Sequence, residues 1–142
     1  MRRAVCGRRP SVPVLVVDDD AYVLRMLEQV LPRRRLRLLG AAGAVAALAV
    51  AARERPAVAI VDVGLPDLDG YELAIQLRER LAPQPLRILL LTDQLPDRAR
   101  LEAARPDRVI AKPFRLAALR ETVLALAEQW QAGIDEVAKA VS

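Results

Sequence analysis

The chain has 142 residues, the length of one domain that buries roughly 68–70% of its unfolded surface, and it is 54% hydrophobic but only 3% aromatic, so Ala, Val and Leu must build the core. It has no histidine and a single cysteine, Cys6. That removes most of the case for a zinc site, Ser-His-Asp chemistry or an internal disulfide, and fits a reducing, cytoplasmic compartment. The formal charge of +4 comes wholly from Arg2, Arg3, Arg8 and Arg9; residues 10–142 are balanced, so charge makes no case for direct DNA binding.

Residues 1–11 read as a disordered, solvated basic extension, with contact to an acidic partner as the sharper alternative. MRRAVCGRRP looks superficially like the start of a signal peptide, but VPVLVV is too short for its apolar region and runs into DDD, so no export signal is read. No apolar run approaches the ~20 residues that cross a bilayer. Val12 to Val17 is a continuous apolar stretch of strand length, with Pro13 at its start, where proline is tolerated. Tyr22, Met26, Leu27 and Val30 recur at helical spacing, and Pro32 lies beyond the helix end. Leu36 to Ala41 predicts a weaker strand, Ala44 to Arg55 an Ala-rich helix stopped by Pro56, and Val58 to Val61 a short buried strand ending at Asp62. Gly70 to Leu81 predicts a helix and Arg87 to Leu91 a fourth strand. The segment QLPDRARLEAARPD offers a helix of barely two turns, from Asp97 to Arg105. Val109 to Ala111 is a very short fifth strand, and Leu116 to Trp130 a long amphipathic helix.

Strands alternating with helices predict an α/β fold with right-handed parallel crossovers. Five such units imply a five-stranded parallel sheet in flavodoxin-like order 2-1-3-4-5, with helices on both faces and the fourth helix shortened. Residues 12–130 form this domain, and residues 131–142 extend the last helix or form a tail.

In an open α/β sheet the carboxyl ends of the strands share one crevice. Asp18 and Asp19 close VLVVDD, Asp62 ends VAIVD, Thr92 ends RILLLT and Lys112 follows VIA. The topology therefore brings three carboxylates, a hydroxyl and an ammonium together from distant points of the chain. Two carboxylates about 4 Å apart repel by roughly 4 kcal/mol at an effective dielectric of 20. A hard divalent cation with oxygen ligands relieves that repulsion. Singly, each residue has a bland reading: Asp as a turn or capping residue, Thr as a strand former, Lys-Pro as surface.

Taken together and in order, these landmarks resemble the receiver domain of two-component response regulators, over roughly Val14 to Gln129. The resemblance implies that Asp62 is the phosphoacceptor, and that Asp19 and Asp62 ligate Mg²⁺ directly. It further implies that Asp18 acts mostly through water and Gly64 supplies a carbonyl oxygen. It assigns Lys112 to the phosphoryl oxygens and Thr92 to a hydroxyl that follows the phosphate, with a cis bond between Lys112 and Pro113.

Three departures stand against these matches. Asp93 holds a position that is small in the family and lines the mouth of the site. Val109 replaces an aromatic that rotates with the hydroxyl, and the interval from Thr92 to Lys112 is shorter than usual, with Arg105-Pro106 in place of a Gly-Ala pair. Gly64 and Gln94 hold the positions that tune phosphoryl lifetime; neither is charged, which points to slow self-dephosphorylation.

The leading expectation is a stand-alone phosphoacceptor taking a phosphoryl group from a sensor histidine kinase or phosphotransfer protein. It would signal through a downstream protein partner rather than DNA or membrane, and would not be an enzyme beyond its own phosphorylation and dephosphorylation. The alternative is a degenerate receiver that binds its partner regardless of phosphorylation. A haloacid-dehalogenase-type phosphatase needs a second acid where Gly64 stands, and a flavodoxin needs a phosphate-cradling loop where DDDAY would repel phosphate. Trp130, near the end of the last helix, either packs on its own domain or contributes to a homodimer or partner contact.

Overall fold

The computed structural model describes residues 11–141. The expected basic extension, apart from Ser11, and Cys6 lie outside the described residues. Five strands alternate with five helices among them: β1 (Val12–Val17), α1 (Tyr22–Val30), β2 (Leu36–Ala41), α2 (Ala44–Glu54), β3 (Val58–Asp62), α3 (Gly70–Leu81), β4 (Arg87–Thr92), α4 (Arg98–Ala104), β5 (Arg108–Ala111) and α5 (Leu116–Val141). The strands form one parallel sheet in the order β2-β1-β3-β4-β5. This is the expected flavodoxin-like arrangement. β3 is buried along its whole length, and β4 from Ile88 onward, because helices cover both faces of a parallel sheet and leave no polar side to alternate.

Two apolar layers result. Leu15, Val17, Ala59, Val61, Ile88 and Leu90 point to α2, α3 and α4, where Ala47, Leu73 and Leu77 meet them. Val14, Val16, Ile60, Leu89 and Leu91 point to α1 and α5, where Leu27, Leu119, Val123 and Leu126 meet them. With so few aromatics, each layer relies on many aliphatic contacts; a fully buried Leu or Ile contributes about 1.5–3 kcal/mol.

The helix ends explain how the loops near the strand tips are held. Asp69 caps α3 by accepting from the Tyr71 N–H at 2.7 Å, and Asp97 caps α4 by accepting from the Arg100 N–H at 3.1 Å. α2 begins after Gly43, which has no side chain to offer; Asp67 reaches across instead and accepts from the Ala44 and Val45 N–H groups at 2.8 and 3.1 Å. Those two donors hold the Asp67 carboxyl below its ordinary range. Asp67→Ala should therefore leave α2 without a partner for two of its first N–H groups. Hydrogen exchange at Ala44 and Val45 is expected to speed up while amides inside α3 keep their protection; unchanged exchange at both would disprove the capping role.

α4 has seven residues, bracketed by Asp97 and by Arg105 in the left-handed region at φ 49°. The Arg105-Pro106 turn is secured from below. Arg78 donates to the Ala104 carbonyl at 2.6 Å, and Asp107 accepts from Arg78, from Arg87 and from the Ile88 N–H at 3.2, 3.1 and 2.7 Å. β5 starts one residue earlier than expected, at Arg108, and α5 is a 26-residue helix that continues to Val141. Trp130 packs against its own domain, and its indole N–H donates to the Pro85 carbonyl at 2.8 Å. Among the described residues no helix is long and apolar enough to cross a membrane.

Candidate functional site

Four strand ends converge. Asp62 is the last residue of β3 and pairs with Leu91 of β4; Thr92, one step further, pairs with Ala111 of β5. The Lys112 N–H donates to the Thr92 carbonyl at 2.7 Å and the Val63 N–H to the Leu91 carbonyl at 2.9 Å, so backbone pairing continues to the rim. Asp18 leaves β1 at the same level, its N–H donating to Ala41 at 3.1 Å. Parallel register thus places these side chains together, whatever lies between them in the chain.

Asp18, Asp19 and Asp62 each present a carboxylate oxygen within 4.8 Å of the others. Asp18 and Asp62 are buried, at 7% and 8% exposure, whereas Asp19 is exposed at the mouth. The Lys112 ammonium lies 3.3 Å from Asp62 Oδ2 and 3.8 Å from Asp18 Oδ2. One lysine against three acids leaves the cluster short of positive charge. Asp18 Oδ1 accepts from the Asp20 N–H at 2.9 Å, but Oδ2 is buried with no hydrogen-bond partner. Burial, opposed by the Asp20 N–H and helped by the Asp62 charge, pushes the Asp18 carboxyl up to about 6. Hard oxygen donors with an orphaned buried carboxylate oxygen fit a hard divalent cation.

The loop after β3 shapes the other wall. The Gly64 N–H donates to Asp62 Oδ1 at 3.2 Å. At Gly70, a Cβ would sit 2.5 Å from the Asp62 carbonyl oxygen and 2.6 Å from Val63 Cα, so only glycine lets α3 start hard against the end of β3. Nothing in the local pattern beyond a glycine directly after the capping Asp69 announces this close approach.

Thr92 is 3% exposed, and its hydroxyl is turned along the chain. It donates to the Gln94 carbonyl and accepts from the Gln94 N–H, both at 3.1 Å. Asp93 and Gln94 are exposed at the rim. Val109 is half-buried on the α2, α3 and α4 side of the sheet, the face on which a larger ring would have had to lie. The Lys112–Pro113 bond is cis, with Pro113 exposed beside the lysine. Further out, Asp69 pairs with Arg100, whose guanidinium lies 5.6 Å from the centre of the Tyr71 ring, and the Tyr71 hydroxyl accepts from the Asp97 N–H at 3.4 Å. That linkage between α3 and α4 was not foreseen, because no local pattern announces a contact between residues so far apart.

Comparison with known proteins agrees with this fold. A family model described as the response regulator receiver domain matches residues 14–124. Response regulator MprA of Mycobacterium ulcerans is 34% identical over 132 residues, 93% of this chain and 57% of that protein. Transcriptional regulatory protein PrrA of Mycobacterium tuberculosis is 38% identical over 117 residues, 82% and 50% of the two chains. This chain spans about half the length of the curated relatives it matches. The crystal structure of a response regulator receiver domain protein (CheY-like) from Methanospirillum hungatei superposes with a TM-score of 0.76 at 26% identity, covering 87% of this chain and 98% of that one. The same fold and a family match over most of its length lead to one conclusion: this chain belongs to the response regulator receiver domain family.

Proposed function

We propose that this domain accepts a phosphoryl group on Asp62 from a histidine kinase or phosphotransfer protein, with Mg²⁺ at the acidic cluster, and signals through protein contacts. The observation that carries the reading is the placement of a buried Asp62 carboxylate 3.3 Å from the Lys112 ammonium, beside two further acids. An Asp62 oxygen attacks phosphorus, one O–P bond forms, and the P–N bond to a phosphohistidine breaks with the imidazole leaving. Such transfers need positioning and charge compensation more than acid–base groups, which suits a site without histidine.

Asp19, Asp62 and the Gly64 carbonyl would hold the ion, with Asp18 behind them. When bound, Mg²⁺ supplies positive charge that offsets the carboxylates and the incoming phosphoryl oxygens. Lys112 compensates the same oxygens as a point charge. Thr92 donates its hydroxyl to the phosphoryl group once it leaves Gln94. Asp93 and Gln94 border the entrance, Asp93 by adding negative charge and Gln94 by offering no charge to steer a hydrolytic water. The cytoplasm is the proposed setting, in keeping with a chain of one cysteine.

A second reading, a receiver that binds its partner without phosphoryl transfer, draws on Val109 in place of a mobile ring and on the short α4. Acetyl phosphate with Mg²⁺, followed by intact mass, separates the two. The first requires a mass gain of one phosphoryl group that chelation by EDTA prevents. No gain at any donor concentration would leave the second.

A further inference from the structure

At the opposite end of the sheet lies a feature that phosphoryl chemistry does not use. Leu36 enters β2 after the turn Pro32–Arg35, and four arginines stand within five positions: Arg33, Arg34, Arg35 and Arg37, all exposed. Arg35 pairs with Glu128 at 3.5 Å, and Arg37 shares Glu54 with Arg53. Neither Arg33 nor Arg34 has an acidic partner among the described residues. Beside them a cavity of ≈ 250 Å³ opens between the end of α1 and β2, with Leu31, Leu36 and Leu38 as apolar lining and Arg33, Arg37 and Glu28 as charged lining.

β2 is also an open edge, with no strand beyond it among the described residues. The Val12 N–H donates to the Arg35 carbonyl and the Asp18 N–H to the Ala41 carbonyl, so the odd-numbered residues of β2 serve β1. Its even-numbered residues therefore direct their backbone outward: the Leu36 carbonyl, and both groups of Leu38 and Gly40. An unpaired edge of this kind is a template for another strand.

We propose that this edge and its cavity form a docking groove for an acidic, extended peptide segment of a partner protein. Strand addition satisfies the outward backbone groups, an apolar side chain enters the cavity, and carboxylates on alternate residues reach Arg33 and Arg37. A small anion would use the arginines alone and leave both the edge and the apolar lining unmatched. The groove is remote from Asp62, so it stands or falls separately from the phosphoacceptor reading.

The test is anisotropy of the full chain with a labelled peptide of alternating Leu and Asp, against an alternating Leu and Lys peptide. A third peptide carries the Leu-Asp sequence with alternate backbone nitrogens methylated. The acidic peptide should bind saturably and shift the amide resonances of Leu38 and Gly40. Arg33→Glu, an exposed turn substitution checked for an unchanged melt, should weaken it about tenfold, as loss of one charge-assisted contact implies. Methylation should abolish binding, and Asp62→Asn should leave it intact. No saturable binding, equal binding of the basic peptide, or full retention after methylation would overturn the proposal, the last by showing a charged patch without strand addition.

Discussion

Asp62→Asn is expected to remove phosphoryl uptake entirely while leaving the domain folded. The amide keeps the shape of the carboxylate at the tip of β3 and can still accept from the Gly64 N–H, so the loop leading to α3 keeps its anchor. What it loses is the anionic oxygen that must attack phosphorus, and no neighbouring group replaces it. Asp18 Oδ2 is buried, and Asp19 is exposed at the mouth, but neither lies at the β3 tip from which the Gly64 and Gly70 backbone shapes the pocket. The wild type should show a hydroxylamine-labile mass gain with acetyl phosphate and Mg²⁺, and the variant none, with coincident melts. A labile phosphoryl group persisting on the variant would assign the acceptor to another carboxylate.

Asp18→Asn is expected to stabilise the metal-free protein at neutral pH and to flatten its pH dependence. Asp18 has a folded value of about 6 against an ordinary 3.8, with burial as the main cause. A carboxyl raised in this way binds its proton more tightly in the folded state. Its contribution to stability is therefore greatest below about 3.8, falls as pH rises through the window up to about 6, and is fully lost above it. A shift of this size converts to at most about 3 kcal/mol, and water at the mouth and the nearby Lys112 reduce it to about 1–2 kcal/mol. The asparagine variant carries no such penalty, so its advantage over wild type should grow from pH 4 to pH 7 in EDTA and shrink when Mg²⁺ is added. Because other carboxyls titrate in the same range, the difference between the two proteins is the informative quantity. An advantage that stays constant with pH would show that the Asp18 proton is not coupled to folding.

Both expectations rest on groups that the sequence itself marks, and the reason is physical. A parallel sheet covered on both faces needs uninterrupted apolar strands, so VLVV, VAIV and RILLL stand out, and the polar residues that end them mark the crevice. The same logic extends to α3, α5 and the short α4, whose apolar spacing, prolines and capping acids are local signals. Strand boundaries moved where backbone pairing overrode composition: Thr92 joins β4 because Lys112 bonds to its carbonyl, and Arg108 joins β5 because it pairs with Leu89. Among the helices, α2 and α4 stop short of Arg55 and Arg105, which turn left-handed, and α5 runs past Trp130 to Val141.

Local pattern therefore sufficed for element order and the residues at the strand ends, and the right-handed crossover of βαβ units then constrained the sheet order and the convergence. Folding in three dimensions alone settled the direction of the Thr92 hydroxyl, the orphaned Asp18 oxygen, the Asp67 cap on α2 and the Asp107 anchor beneath the Arg105 turn. The Thr92 turn is local but is one of several a threonine can make, whereas the other three are set by long-range packing, and partners that meet only across the fold leave no period or spacing in the chain.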